Sequence, residues 1–218
     1  MTRSNDWSLH LALGALACLL AMAAVSLVAG VSQETFEIVR DPVAYAGLLR
    51  IHARTVRALF GIDSAFLVFY SAFFVVFVRR IATERTRPWL WMALVFLLVT
   101  ALFDMVEDHH ILALLYAAEL GHAPSWEQLT FQHTVSAVKF NLSYAGLFLL
   151  GLGVPRETWA GIGLALLLTV GTVLQGVWLY AAPPDMLPAG NLGRHFGFVL
   201  GFLLVLPLLR PTRTPHPA

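Results

Sequence analysis

The sequence contains few charged residues and almost no residues able to cross-link the chain. Only 12% of its 218 residues are Asp, Glu, Lys or Arg, and it has one cysteine, Cys18, and one lysine, Lys139. A single cysteine excludes an internal disulfide and a cysteine-rich metal site. The formal net charge of +1 provides no basic face, so nucleic acid is not expected as a partner. The GxSxG and HExxH motifs of serine and zinc hydrolases are also absent from the sequence.

Apolar residues dominate the chain. They make up 58% of it, and the mean hydropathy of +0.74 is typical of integral membrane proteins. Apolar runs near the length of about 20 residues that crosses a bilayer recur six times. Because backbone amides in lipid must be satisfied within their own segment, the sequence predicts an all-α, polytopic integral membrane helix bundle with about six transmembrane helices. The predicted spans lie near residues 9–31, 59–78, 88–110, 131–154, 159–181 and 192–209, in a single domain covering residues 1–210.

Two segments lie outside these spans. Residues 32–58 are predicted to form a loop on the outer side, where Asp41-Pro42 can begin a helix. Arginines recurring on one side of that helix as far as Arg57 favour a position on the membrane surface; an extension of the second span is the alternative. Residues 211–218, PTRTPHPA, are predicted to be a disordered tail.

The distribution of arginine predicts the orientation in the membrane. The short loop between the second and third spans carries Arg79, Arg80, Arg85 and Arg87, and such loops are usually cytoplasmic. Alternation of six spans then places both termini in the cytoplasm. The sequence therefore predicts a multi-pass protein of the bacterial inner (cytoplasmic) membrane.

Charged residues occur at the outer ends of the predicted spans, where they are costly unless paired or hydrated. Asp104, Glu107 and Asp108, in the stretch FDMVEDHH, have the spacing that places them on one helical face. Lys139 lies on a polar stripe of the fourth span, and an unpaired lysine there costs about 2.5–3.5 kcal/mol. We expect Asp104 to be its partner, with Asp63 as second choice.

These residues predict an outward-facing charged pocket. A polar pocket inside a membrane protein indicates function by default, although the Asp104–Lys139 pair can equally be an interhelical clamp without chemistry. Near the start of the last span, Arg194 either joins this pocket or meets lipid phosphates. The predicted pocket residues are Asp63, Asp104, Glu107, Asp108, Lys139 and Arg194.

A divalent metal is the main alternative ligand of this region. Glu107 and His110 have the Glu-x-x-His spacing that recurs in di-iron bundles, although only one copy is present. The adjacent histidines can also be a hydrated pair at the membrane surface. The candidate metal ligands are Glu107, His109, His110, His133 and His195.

We therefore expect a protein that binds or transports a small cation, a proton or a lipid headgroup. The alternatives are a metal-dependent membrane-embedded hydrolase and a non-catalytic subunit of a larger membrane complex. No catalytic residue is predicted, because no nucleophile stands at a spacing typical of a base. Membrane lipids, a second copy of the chain or a larger complex are the expected partners.

Overall fold

The structure, a computed structural model, describes residues 7–181 and 187–209. Within these ranges the chain is all-helical and has no strand, which confirms the predicted all-α class. The chain also has a short 3-10 helix, Gln33–Phe36, and a π-helical segment, Leu167–Gly171. The α-helices are α1 (Trp7–Ala29), α2 (Pro42–Ile51), α3 (Ala53–Ile81), α4 (Arg87–Glu119), α5 (Trp126–Gly153), α6 (Trp159–Leu166), α7 (Thr172–Ala181) and α8 (Leu187–Leu209).

Five helical segments in the described ranges are long and apolar enough to cross a membrane. They are α1, α3, α4, α5 and the continuous stretch Trp159–Trp178. The described apolar part of α8, Gly193–Leu209, is shorter than these five segments. The chain is thus a membrane protein built as a helical bundle. The predicted tail, residues 211–218, lies outside the described residues.

The helices differ from the predicted spans at two places. The third span was expected to end near residue 110, but α4 continues to Glu119 as one helix of 33 residues. Helix α3 begins at Ala53, so Arg54 and Arg57 belong to this long helix and not to the predicted surface helix. The helix that Asp41-Pro42 begins is the shorter α2, which ends at Ile51.

Local sequence signals explain where two of the helices begin. Asp41 caps α2 by accepting hydrogen bonds from the backbone amides of Val43 and Ala44, both at 3.0 Å, and Pro42 occupies the first turn. Ser125 and Gln128 form a capping box at the start of α5. These interactions satisfy backbone amides that have no partner within the helix.

The helices pack around two separate apolar cores. The larger core lies among α1, α3, α4, α5, α6, the π-helical segment and α8, and includes the fully buried Phe73 and Phe77. The smaller core joins the 3-10 helix and α2 to the ends of α3 and α4, with Phe36, Tyr45 and Ile111 each fully buried. The smaller core therefore holds the 3-10 helix against one end of the bundle.

At the end of the bundle opposite the smaller core, hydrogen bonds identify which helix ends lie together. The Arg80 guanidinium donates to the Ser8 hydroxyl at 3.4 Å and to the Leu209 carbonyl at 3.1 Å. The start of α1 and the ends of α3 and α8 therefore meet at the arginine-rich end. Gly30, with φ of +66°, lets the chain turn back at the other end after α1.

Candidate functional site

Lys139 lies at the centre of the site and contacts carboxylates from two other elements. Its side chain is buried, and its Nζ lies 2.9 Å from Asp104 Oδ1 and 3.4 Å from Glu37 Oε1. It also donates to Glu107 Oε2. The predicted Asp104–Lys139 pairing is confirmed, whereas the second choice, Asp63, is not among the carboxylates in contact with the ammonium group.

Glu107 is held by the polar stripe of α5. The Glu107 side chain is 0% exposed, and its Oε1 accepts a hydrogen bond from Gln132 Nε2 at 2.9 Å and another from the Ser136 hydroxyl. Gln132, Ser136 and Lys139 recur every three or four residues, so all three side chains face α4. The stripe therefore surrounds a single carboxylate with three donors.

Arg194 is the second buried cation of the site. Its guanidinium lies 3.3 Å from Glu34 and 3.8 Å from Glu37, and is 3.8 Å from the centre of the Phe140 ring. The side chain is only 8% exposed. The alternative in which Arg194 meets lipid phosphates is therefore wrong, because the side chain is buried and its Nη2 faces Glu34 and Glu37.

Arg194 affects the pKa of Glu34. Burial alone would raise the pKa of Glu34, but the charge of Arg194 and hydrogen bonds to the carboxylate lower that pKa below its ordinary value. Glu34 is therefore ionised at neutral pH. The ion pair stabilises the fold above the ordinary glutamate pKa, and this contribution is lost as the pH falls through the lowered value.

Three aspartates form a separate group beside Lys139. One carboxylate oxygen from each of Asp63, Asp104 and Asp108 lies within 4.8 Å of the other two. The Gln33 amide nitrogen donates to Asp63 and to Asp108, at 3.2 Å each. Among the described residues, Asp108 Oδ2 and the Tyr70 hydroxyl are buried without a hydrogen-bond partner.

A cavity of about 120 Å³ lies among these groups. Its polar lining comes from four elements besides α4: the 3-10 helix region, α3, α5 and α8. The volume is sufficient for a few water molecules or a partly hydrated ion, since a water takes about 30 Å³. The polar and charged lining residues are Gln33, Glu34, Glu37, Asp63, Tyr70, Thr100, Asp104, Lys139, Ser143, Arg194 and His195.

A larger apolar cavity of about 480 Å³ adjoins the charged one. It lies among α3, α5, α8 and the segment from α6 to α7, and is lined mainly by leucine and phenylalanine side chains. The two cavities share Phe74, Leu147, Arg194, Phe198 and Phe202 in their walls. The larger cavity therefore reaches the wall of the charged one at Arg194.

Carboxylates outnumber cations in the charged cluster, which we define as two cationic and six acidic side chains. Full ionisation of six carboxylates against two cations leaves four negative charges in excess. Burying an unpaired ion costs several kcal/mol. The cluster comprises Lys139, Arg194, Glu34, Glu37, Asp63, Asp104, Glu107 and Asp108.

Three residues of the site were missed by the sequence analysis, which left Gln33, Glu34 and Glu37 in the outer loop. Their short 3-10 helix turns into the end of the bundle and supplies ligands to both cations and two aspartates. The Glu34-x-x-Glu37 spacing places both carboxylates on one side of a helical turn. That spacing, directly after a transmembrane run, was the available signal.

The predicted metal ligands do not come together. The His109 and His110 rings lie 2.8 and 3.2 Å from the backbone carbonyls of Met105 and Gln128. The Glu107 carboxylate accepts hydrogen bonds from Gln132, Ser136 and Lys139 of α5. Glu107 and His110 therefore do not face a common metal position, because each side chain contacts a different partner.

The two other predicted histidine ligands are also apart from that stretch. His133 is exposed on α5, while the His195 ring borders the charged cavity and lies 3.3 Å from the Leu19 carbonyl. In the described part of the chain, the group that could hold a metal ion consists of three aspartates. This group contains none of the five predicted metal ligands.

The fold and this cluster define an all-helical membrane protein with a buried, net acidic site near one end of its bundle. No family model, curated protein or solved structure matches the chain.

Proposed function

We propose that the chain is a six-span protein of the bacterial inner membrane, with both termini in the cytoplasm, that binds or transports a small cation or proton. The binding groups are Asp63, Asp104, Glu107, Asp108, Lys139 and Arg194, together with the 3-10 helix. The cluster opens toward the outer side in this proposal, because the arginine-rich end faces the cytoplasm.

The excess of buried carboxylates is the observation that supports a cationic ligand. Lys139 and Arg194 are already paired with four carboxylates between them. Asp63 and Asp108 are buried and contact neither cation. Since low-dielectric surroundings penalise the remaining negative charge, uptake of protons or a metal cation stabilises the folded protein.

Among the expected ligands, an anionic lipid headgroup has the least support. A phosphate needs free cationic donors, and both buried cations face carboxylates. The apolar cavity beside the cluster favours, as a second candidate, a membrane-embedded hydrolase acting on a lipid-like substrate with a divalent metal. Cation binding ranks first because it needs only the groups already assembled.

Thermal unfolding of the purified protein in lipid nanodiscs tests cation or proton binding. A ligand that binds only the folded state raises the unfolding temperature as its concentration increases. A bound metal cation should therefore raise the unfolding temperature as its concentration rises, and a bound proton should raise it as the pH falls. Na⁺, K⁺, Mg²⁺, Ca²⁺ and Mn²⁺ are added singly between pH 5 and 9. The wild type should respond to pH or to one of the cations.

Two variants make the test specific to the cluster. The Asp63→Asn/Asp108→Asn double variant should lose the wild-type response, whereas Glu84→Gln, an exposed carboxylate in the loop before α4, should keep it. Identical responses of the wild type and the double variant to every cation and to pH would refute the proposed function.

A further inference from the structure

We infer that Asp63, Asp104 and Asp108 form a binding site for one hard divalent cation of the Mg²⁺, Mn²⁺ or Ca²⁺ type. The inference rests on the proposed function and specifies the chemical class of its ligand. It replaces the predicted histidine ligands with three carboxylates from α3 and α4.

The distances within the group suit a single ion. Oxygen ligands lie about 2.0–2.6 Å from Mg²⁺ or Ca²⁺, so two ligands on opposite sides of one ion are at most about 4–5 Å apart. One oxygen from each of the three aspartates lies within 4.8 Å of the others. Asp104 and Asp108 are one helical turn apart on α4, and Asp63 faces them from α3.

A buried hydroxyl outside the three aspartates provides a second and independent indication of a ligand. The Tyr70 hydroxyl borders the cavity that Asp63 and Asp104 line, is part of a side chain only 6% exposed, and has no hydrogen-bond partner among the described residues. Asp108 Oδ2 is likewise buried and without a partner. Unsatisfied buried polar atoms of this kind destabilise the folded state. A bound ion and its water would satisfy both atoms.

The donor set determines the class of ion. The three ligands are carboxylates, and neither a histidine nor the cysteine belongs to the group. Carboxylate and water ligands suit magnesium, calcium and manganese, whereas imidazole and thiolate favour zinc and copper. Gln33 adds to this set, because rotating its amide by 180° would present an oxygen to the ion in place of the nitrogen that now faces Asp63 and Asp108.

Charge also favours a divalent ion. One such ion halves the excess of four negative charges in the cluster, while Lys139 remains paired with Asp104, its Nζ 2.9 Å from Asp104 Oδ1. The charged and titratable groups facing the site are Cys18, Glu34, Glu37, Asp63, Tyr70, Asp104, Glu107, Asp108, Lys139, Arg194 and His195. Proton uptake by some of these carboxylates will compete with the metal, so affinity should fall at low pH.

Electron paramagnetic resonance of Mn²⁺ tests the site in chelator-treated, nanodisc-embedded protein. Free and bound Mn²⁺ are distinguished directly, and Mg²⁺ and Ca²⁺ are then added as competitors. The wild type should bind one Mn²⁺ per chain, which either competitor displaces. Asp63→Asn and Asp108→Asn should each weaken Mn²⁺ binding at least 10-fold.

Two further variants separate loss of the site from loss of the fold. Glu119→Gln removes a carboxylate from the same helix at a position that pairs with Arg57 outside the cluster, and should bind Mn²⁺ like the wild type. Tyr70→Phe removes only an unpartnered hydroxyl, so it should fold normally and still bind Mn²⁺ several-fold more weakly. If the aspartate variants fail to fold, Tyr70→Phe decides the question.

The results distinguish failure of this inference from failure of the proposed function. A wild type that binds no Mn²⁺ at millimolar concentration, or a folded Asp63→Asn or Asp108→Asn variant that binds it normally, would overturn the divalent site. If pH-dependent stability is nevertheless lost in the Asp63→Asn/Asp108→Asn variant, the cluster is a proton site and the proposed function stands. Absence of Mn²⁺ binding, together with identical responses of the wild type and the double variant to every cation and to pH, rejects both.

Discussion

At the scale of single residues, the lone lysine shows how a membrane protein accommodates a buried charge. Lys139 has three carboxylates within reach, from Glu37, Asp104 and Glu107, and an aromatic ring, Phe140, 4.7 Å away. The ammonium group therefore loses water but gains partners on several sides. Removing one partner of such a buried group costs more than the interaction contributes, because the remaining charges stay buried.

Lys139→Met should therefore lower the free energy of unfolding by about 3–5 kcal/mol, because its carboxylate partners lose their cation. Titration with sodium dodecyl sulfate, followed by circular dichroism, measures this change. Arg57→Met is the control, because it breaks an exposed ion pair. The side chains of Arg57 and Glu119 are 52% and 34% exposed, so the free energy of unfolding should change little.

Adding Glu107→Gln to Lys139→Met should recover part of the lost stability, because one uncompensated charge is removed. A Lys139→Met protein as stable as the wild type would show that the carboxylates around Lys139 do not depend on its charge.

At the scale of secondary structure, the 3-10 helix determines which side chains face the cavity. Tyr45 of α2 is fully buried, and its hydroxyl donates to the Phe36 carbonyl at 2.8 Å. Burial raises the pKa of Tyr45, and the negative charges of Glu107 and Glu37 raise it further, so the hydroxyl remains a donor at physiological pH. This hydrogen bond joins α2 to the 3-10 helix.

Tyr45→Phe should lower the free energy of unfolding by about 1–3 kcal/mol, because the buried Phe36 carbonyl loses its side-chain donor. It should also weaken stabilisation by the bound cation, since Gln33 and the two glutamates are held less firmly. Unfolding with and without cation measures both effects. Tyr116→Phe on α4 is the control, because Tyr116 is 65% exposed and should change neither. Unchanged cation dependence in Tyr45→Phe would mean that this hydrogen bond does not position the site.

At the scale of the whole molecule, the two ends of the bundle have different chemistry. The arginine-rich end brings together the start of α1 and the ends of α3 and α8 around Arg80. The acidic cluster and the 3-10 helix lie toward the other end. If the basic end lies in the cytoplasm, as the positive-inside rule predicts, the acidic cluster lies toward the outer side.

Cysteine labelling should show this orientation directly. In a Cys18→Ala background, His122→Cys lies in the loop after α4 and should react with a membrane-impermeant maleimide on intact bacterial spheroplasts. Glu84→Cys lies before α4 and should react only after lysis. Both positions are exposed, so accessibility to the reagent is matched. The opposite pattern would place the cluster on the cytoplasmic side.

Much of the architecture followed from the sequence alone because its causes are local. Long apolar runs must form helices in lipid, since only a helix satisfies its own backbone amides there. The stripe of Gln132, Ser136 and Lys139 has the periodicity of one helix face, and the cost of a buried lysine pointed to a carboxylate at similar depth. Asp104 was therefore predictable as its partner, and the structure places the two 2.9 Å apart.

Only the tertiary structure decided the composition of the site. Gly30 and a four-residue 3-10 helix direct Glu34 and Glu37 into the bundle, and no hydrophobic periodicity reveals the direction of so short a segment. Likewise, Asp63 is 41 residues before Asp104, and their meeting depends on how α3 rotates against α4. Residue spacing determines which side chains share a helix face, but helix packing determines what that face meets.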